Sequence, residues 1–179
     1  MPGGIFLKRD LFLWQFGGFV FVSLLGSVLH FVYSWTNESV LVAPFSAINE
    51  STWEHMKLIY FPMLIYALIQ SRFLKDSNNF WCVKLIGILT GLTLIPVLFY
   101  TYNGVFGKSP DFVNIAIFFV ATAVAFLIEK YLLKKGKPRC KYNKFAFFIV
   151  IFIGALFIIF TFIPPQLPLF KDPTTEQFI

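Results

Sequence analysis

The sequence predicts an all-α, polytopic membrane protein: a bundle of five transmembrane helices with the N-terminus in the cytoplasm and the C-terminus outside. Hydrophobic residues make up 58% of the 179 residues and charged residues only 13%, whereas soluble proteins carry about 25% charged residues. Long apolar segments recur along the chain, and a helix that spans a bilayer needs about 20 such residues. Basic residues collect in alternate loops, which is typical of loops that face the cytoplasm. These observations predict a single integral membrane domain over residues 1–179.

The predicted helices follow the apolar segments, at about residues 11–35, 51–74, 80–102, 111–133 and 143–163. The first segment is too long for the apolar core of a signal peptide and no cleavage site follows it, so we expect a transmembrane helix there. Two prolines, Pro164 and Pro165, end the fifth helix. The Pro-rich tail 164–179 is predicted to lie outside the cytoplasm. Because it is too apolar for a free tail, we expect it either to fold back as a lid or to lie among the lipid headgroups.

The predicted orientation depends on where the 15 basic residues fall. With the N-terminus in the cytoplasm, 12 of them lie on the cytoplasmic side: Lys8, Arg9, Arg72, Lys75, Lys84, Lys130, Lys134, Lys135, Lys137, Arg139, Lys141 and Lys144. This bias explains the net charge of +6, so we expect no nucleic-acid partner. Cys82 and Cys140 fall at predicted cytoplasmic ends of helices, where the compartment is reducing. We therefore expect both thiols to be free.

A compact polar motif begins the second predicted helix on the outer side. It contains Asn49, Glu50, Ser51, Trp53, Glu54, His55 and Lys57. Polar groups at membrane depth are costly to desolvate, so they indicate a functional site. Ser51 and Glu54 also fit a capping box, which is a structural explanation for part of the motif. We expect Lys57 either to snorkel to the headgroups or to pair with Glu54, Glu50 or Asp111.

Two other helices are predicted to bring polar side chains to the same membrane face. His30 lies near the outer end of the first helix, on one helical face with Gly26 and Ser27. Asp111 and Asn114 begin the fourth helix at matching depth, although Asp111 is also a candidate N-cap. The sequence therefore predicts one polar cavity that opens to the outer leaflet.

The predicted chemistry of this cavity is acid–base or metal chemistry. His30, Glu54, His55 and Asp111 are the predicted catalytic groups, since imidazoles and carboxylates form acid–base pairs. His30, His55 and Asp111 are also predicted ligands of a divalent metal such as zinc, although no H-x-x-x-H spacing is present. Adjacent residues differ by about 100° around a helix, so we favour His55 facing the cavity and Glu54 as a cap or support. The predicted supporting or substrate-contacting set is Asn49, Glu50, Ser51, Trp53, Lys57 and Asn114. A purely structural polar network is the alternative.

The motif Asn49-Glu50-Ser51-x-Trp53-Glu54-His55-x-Lys57 resembles a signature of an uncharacterised family of small bacterial integral membrane proteins. His30 and the tail sequence Pro-Leu-Phe-x-Asp-Pro are similar to that family as well. The resemblance covers nearly the whole chain. It implies a multi-pass architecture in the bacterial cytoplasmic membrane, and it implies no particular activity.

Three functions remain open from the sequence. The first is an enzyme, a hydrolase or an acyl or group transferase, that acts on a lipid or lipid-linked substrate. The second is a transporter or channel for a small solute or cation, although the inner half has little of the polar lining that a pore needs. The third is a scaffold that binds a lipid or partner. Membrane lipids are the expected partners in each case, and a homo-oligomer remains open.

Overall fold

The computed structural model describes residues 8–74, 79–136 and 140–175. These residues form five α-helices and a short 3-10 turn. The helices are α1 Lys8–Trp35, α2 Thr52–Phe73, α3 Phe80–Phe106, α4 Asp111–Lys135 and α5 Asn143–Phe162, and the 3-10 turn is Pro168–Phe170. The largest difference from the predicted bounds is in α3, which continues to Phe106 instead of ending at residue 102.

Four of these helices are long and apolar enough to cross a membrane, as expected of a membrane protein. The spans are Leu11–Trp35, Phe80–Phe106, Asp111–Lys135 and Asn143–Phe162. Helix α2 is not one of the four. It carries Glu54, Lys57 and Arg72 within its 22 residues, and it is the most enclosed helix of the bundle.

Helix α2 packs against α1 and α3, while α4 packs against α1 and α3, and α5 lies against α3 and α2. The α2 side chains of Ile59, Tyr60 and Met63 form the centre of the core and are almost completely buried. Glycine permits the closest helix approaches, because a Cβ at Gly26 would meet the backbone of α2 and a Cβ at Gly87 would meet Glu129 on α4. Small residues at such crossings are typical of helices that pack in membranes.

One buried ion pair fixes the end of the bundle at which α2 begins. Lys57 Nζ lies 2.6 Å from a carboxylate oxygen of Glu54, and the two side chains are 0% and 1% exposed. The same ammonium donates to the carbonyl oxygen of Ala43, 2.9 Å away, and to Thr161 Oγ1 on α5, 3.0 Å away. Lys57 therefore pairs with Glu54 instead of snorkelling, and it ties the first loop, α2 and α5 together.

A second buried ion pair lies toward the opposite end. Lys84 Nζ of α3 is 2.5 Å from Glu129 Oε2 of α4, and both side chains are buried. The ammonium also lies 5.5 Å from the ring centroid of Phe126 and 5.8 Å from that of Tyr66. The sequence indicated Lys84 only as one of the basic residues on the predicted cytoplasmic side. The structure places its side chain inside the bundle, where Glu129 of α4 supplies the matching carboxylate.

The expectation of free thiols is wrong in the structure. Cys82 and Cys140 form a disulfide with a Cα–Cα distance of 6.4 Å, within the usual range for such bonds. They meet because the first residue of α5 caps the start of α3: Asn143 Oδ1 accepts hydrogen bonds from the backbone N–H groups of Trp81 and Cys82. The compartment argument could not detect this contact, since it depends on which helix ends are neighbours.

Candidate functional site

The polar motif forms the N-terminus of α2, and a local hydrogen-bond network sets its shape. Ser51 is the N-cap residue, and its side-chain oxygen accepts from Glu54 N. Asn49 Oδ1 accepts from Ser51 N at 2.9 Å. The Glu54 carboxylate reaches back past the cap and accepts from Ile48 N at 2.9 Å. The serine half of the predicted capping box is therefore present, while Glu54 holds the loop before the cap.

Two imidazoles and one carboxylate come together beside this cap. His30 Nε2 of α1 lies 3.7 Å from Glu50 Oε1. His55 Nε2 of α2 lies 3.5 Å from Glu50 Oε2. The two imidazole ring centroids are 5.5 Å apart. We call His30, Glu50 and His55 the outer cluster, after the membrane side that the sequence predicts for them. One ligand atom from each of the three lies within 4.8 Å of the others.

The hydrogen bonds of the two rings differ, and this difference determines which atoms are free. His55 Nδ1 lies 2.9 Å from the carbonyl oxygen of Ser51. A carbonyl oxygen can only accept, so Nδ1 carries a proton, and Nε2 is the ring nitrogen that faces Glu50. His30 Nδ1 is buried and has no hydrogen-bond partner among the described residues. The cluster itself is accessible, because the side chains of His30, His55 and Glu50 are 29%, 22% and 47% exposed.

A cavity of about 500 Å³ adjoins the outer cluster. Polar groups from α3, α4 and the loop between them line one part of it: Asn103, Lys108, Ser109, Asp111 and Asn114. Apolar side chains of α1 and α4 form another wall: Phe31, Ile115, Phe118 and Phe119. Phe31 and Ile115 are half-exposed, so part of this apolar wall is accessible.

Of the four predicted catalytic residues, His30, His55 and Asp111 line this cavity. Asp111 is not one of the three members of the outer cluster. Helix α4 begins at Asp111 itself, with Pro110 in the N-cap position. Asn114, predicted as a supporting residue, accepts a hydrogen bond from the Ser109 hydroxyl at 2.7 Å.

Glu54 does not line the cavity. It is adjacent to His55 on α2 and therefore points in a different direction, about 100° around the helix, where Lys57 binds it. The carboxylate that meets both imidazoles is Glu50, which the sequence suggested only as a supporting residue. Glu50 precedes the helix, so helical spacing cannot predict the direction in which its side chain points. Its position one residue before the N-cap Ser51 was the available signal.

The C-terminal tail packs over the same end of the bundle. Phe170 is buried and its ring centroid lies 4.6 Å from that of Trp53, which also packs on Phe157 of α5, with the centroids 4.4 Å apart. Trp53 is thus an anchor for the tail and not part of the cavity wall. Beyond Phe170, Pro173 and Thr174 reach the cavity and line it. Of the two expectations for the tail, the described part of it folds back on the protein.

Asp172 joins the tail directly to the motif. Its Oδ2 accepts from Glu50 N at 3.4 Å, and its Oδ1 accepts from Thr174 N at 2.7 Å and Thr174 Oγ1 at 2.6 Å. Burial raises the pKa of Asp172, but the hydrogen bonds from Thr174, Glu50 and Thr175 outweigh it and leave the pKa below its ordinary value. No pattern in the sequence indicates this contact, because 122 residues separate the partners.

The fold and the site together define a class: a small helical membrane protein with a cluster of titratable groups beside a cavity at one end of the bundle. Within that class, the chain belongs to the family of unknown function DUF6512, whose sequence profile matches residues 8–179. This agrees with the uncharacterised family that the sequence resembles. No curated protein and no solved structure matches the chain.

Proposed function

We propose that the chain is a membrane enzyme, a hydrolase or a group transferase, that acts on a lipid or lipid-linked substrate at the outer leaflet. The observation that carries this proposal is the pairing of the outer cluster with a cavity that has a polar end and an apolar wall. A lipid has the same two-part character. Its ester or phosphate region fits beside His30, Glu50 and His55, while an acyl or prenyl chain fits along Phe31 and Ile115.

The proposal includes five membrane spans, an N-terminus in the cytoplasm, a C-terminus outside, and the bacterial cytoplasmic membrane as the location. The distribution of the 15 basic residues supports this orientation. Helix α2 carries Glu54 and Lys57 within its apolar segment, but these two groups neutralise each other inside the bundle. A paired and buried charge does not have to be desolvated against lipid, so α2 can cross with its four neighbours.

The proposed chemistry places each polar group in a role that its position permits. The three members of the outer cluster bind a water or substrate hydroxyl and accept its proton as the oxygen attacks an ester or phosphoester centre. Asp111, which also lines the cavity, donates a proton to the leaving group as its bond to that centre breaks. The Lys108 side chain lines the polar end, where an ammonium suits an anionic headgroup. Glu54 takes no part in the reaction, since Lys57 binds it away from the cavity.

The cavity geometry favours an enzyme over a transporter. Below the outer cluster the lining is apolar, with Leu58, Ile95 and Ile117. A conducting path needs polar lining or water on both sides of the membrane. A cavity with polar groups at one end and an apolar floor favours chemistry on a bound molecule.

The test uses purified protein in liposomes of phosphatidylethanolamine and phosphatidylglycerol, with lipid products followed by mass spectrometry. We expect time-dependent formation of a lysolipid, free fatty acid, released headgroup or acyl-transferred product. His55→Ala should slow product formation by about 100-fold or more, the range of acid–base groups. The matched control is Glu38→Gln. Residues 37–39 repeat the Asn-Glu-Ser sequence of residues 49–51, but Glu38 lies exposed in the first loop. Unchanged lipids, or equal rates in wild type and His55→Ala, would contradict the enzyme proposal.

A further inference from the structure

We propose that His30, Glu50 and His55 bind one divalent transition-metal ion, of the zinc class, with an open coordination position toward the cavity. This inference concerns the same site as the proposed function and rests on the geometry of its three side chains. The ligand set differs from the sequence expectation, because Glu50 replaces Asp111.

The distances within the outer cluster are too long for hydrogen bonds. The two Nε2–carboxylate distances are 3.7 and 3.5 Å, whereas N–H···O hydrogen bonds span about 2.7–3.2 Å. Ligands bound about 2.0–2.1 Å from a tetrahedral zinc lie roughly 3.3 Å from one another. The two histidine–carboxylate distances are therefore close to the spacing of ligands around one ion, and one ligand atom from each of the three side chains lies within 4.8 Å of the others.

The orientation of the two rings agrees with this spacing. His55 turns its Nδ1 to the Ser51 carbonyl oxygen, which leaves Nε2, the ring nitrogen that faces Glu50, as the atom that could bind an ion. His30 also directs its Nε2 at the Glu50 carboxylate. A single divalent ion would contact all three groups at once.

The support around His55 is also that of a metal ligand. A metal-bound histidine commonly donates its second ring N–H to a backbone carbonyl, which fixes both tautomer and orientation. Here the carbonyl belongs to the N-cap Ser51, and Asn49 Oδ1 holds the Ser51 N–H in turn. Glu50 N donates to Asp172 of the tail. Asp172 and Asn49 thereby hold the backbone at Glu50 and at the residue that follows it.

The donor set and its accessibility select the class of metal. Two imidazole nitrogens and one carboxylate oxygen suit zinc better than calcium or magnesium, which prefer oxygen ligands alone. Three protein ligands beside an open cavity are the arrangement of catalytic zinc sites, whereas structural sites are closed by four. The open position would face the cavity that Asp111 also lines.

The experiment measures zinc binding by the intact protein in detergent after removal of metals with EDTA. A fluorescent zinc indicator in competition gives the Kd, and elemental analysis after gel filtration gives the stoichiometry. We expect one zinc ion per chain. Glu50→Gln, His30→Ala and His55→Ala should each weaken binding by about 100-fold or more, since changes outside the ligand set of known sites already cost 10–100-fold. Glu38→Gln should bind as the wild type does.

A second measurement keeps the proposal testable if a variant fails to fold. X-ray absorption of zinc-loaded wild-type protein should show nitrogen and oxygen ligands with the scattering pattern of two imidazoles. A sulfur ligand, a shell of oxygen alone, or sub-stoichiometric zinc would overturn the site. Stoichiometric zinc without any lipid product would retain the metal site and remove the proposed enzyme. Lipid products that still form after EDTA treatment, by protein that binds no zinc, would retain the proposed enzyme and remove the metal site.

Discussion

The two buried ion pairs and the outer cluster both place charge among apolar helices, but they satisfy it differently. Glu54 with Lys57 and Glu129 with Lys84 are almost completely buried, and each pair lies within 2.6 Å. In the outer cluster, Glu50 is about half exposed and its contacts with the imidazoles are 3.5 Å or longer. The ion pairs are closed by their own partners, whereas the cluster has ligand atoms that face a cavity.

The contrast is sharpest between Glu50 and Glu54, which lie four residues apart on either side of the N-cap Ser51. One carboxylate precedes the helix and faces the cavity, and the other follows the cap and is bound by Lys57. The same chemical group thus has a structural role at one position and a candidate functional role at the other. The predictions below test that separation, from the largest expected effect to the smallest.

The largest effect is expected from breaking the Lys84–Glu129 pair. Lys84→Met leaves the Glu129 carboxylate buried without its partner, and such a loss costs about 3–5 kcal/mol. The free energy of unfolding in detergent, measured by denaturant titration, should fall by that amount. Zinc binding at the outer cluster should be unchanged in the protein that remains folded.

The control for this prediction replaces both partners. Lys84→Met with Glu129→Leu removes the two charges together, and buried pairs replaced by apolar residues of similar volume are often neutral in stability. A double variant as unstable as Lys84→Met alone would show that the charges do more than satisfy each other.

A smaller effect is expected where the tail docks. Phe170 is 3% exposed, and its ring packs on Trp53. Phe170→Ala removes apolar burial that is worth about 1.5–3 kcal/mol. We expect faster proteolysis of the tail and a shift in Trp53 fluorescence, while the helical bundle stays folded. Leu167→Ala is the matched control, because Leu167 is largely exposed; equal effects from both would contradict the docking of the tail through Phe170.

The smallest stability effect concerns pH. The folded-state pKa of Asp172 lies below its ordinary value of 3.8, so the ionised carboxylate stabilises the docked tail. This contribution is present above the unfolded pKa and is lost as pH falls through the folded pKa. Tail proteolysis by an acid protease should rise as pH falls below about 3.8, and Asp172→Asn should show the raised rate at every pH tested. A rate in wild type that does not change with pH would contradict this role of Asp172.

The helices were predictable from the sequence because their apolar segments are long and are bounded by prolines and charges. The convergence of His30, His55 and Asp111 on one cavity followed from their matched depth at the outer helix ends. The direction of Glu50 was not predictable, since it precedes the helix and helical spacing does not apply to it. The Cys82–Cys140 disulfide depends on a contact between α3 and the start of α5, and helix order alone does not determine such contacts.

The most direct test of this account is the thermal stability of Glu50→Gln and Glu54→Gln, each measured with and without zinc. Zinc at 100 times its Kd should stabilise the wild type by about 2.7 kcal/mol, which raises Tm by roughly 5–10 °C. Glu50→Gln should keep the Tm of the zinc-free wild type and lose the zinc-dependent rise. Glu54→Gln should have a lower Tm, because Lys57 loses its buried partner, and should keep the rise. The same zinc-dependent rise in both variants, or a loss of stability in Glu50→Gln as large as in Glu54→Gln, would contradict the separation of the two carboxylates.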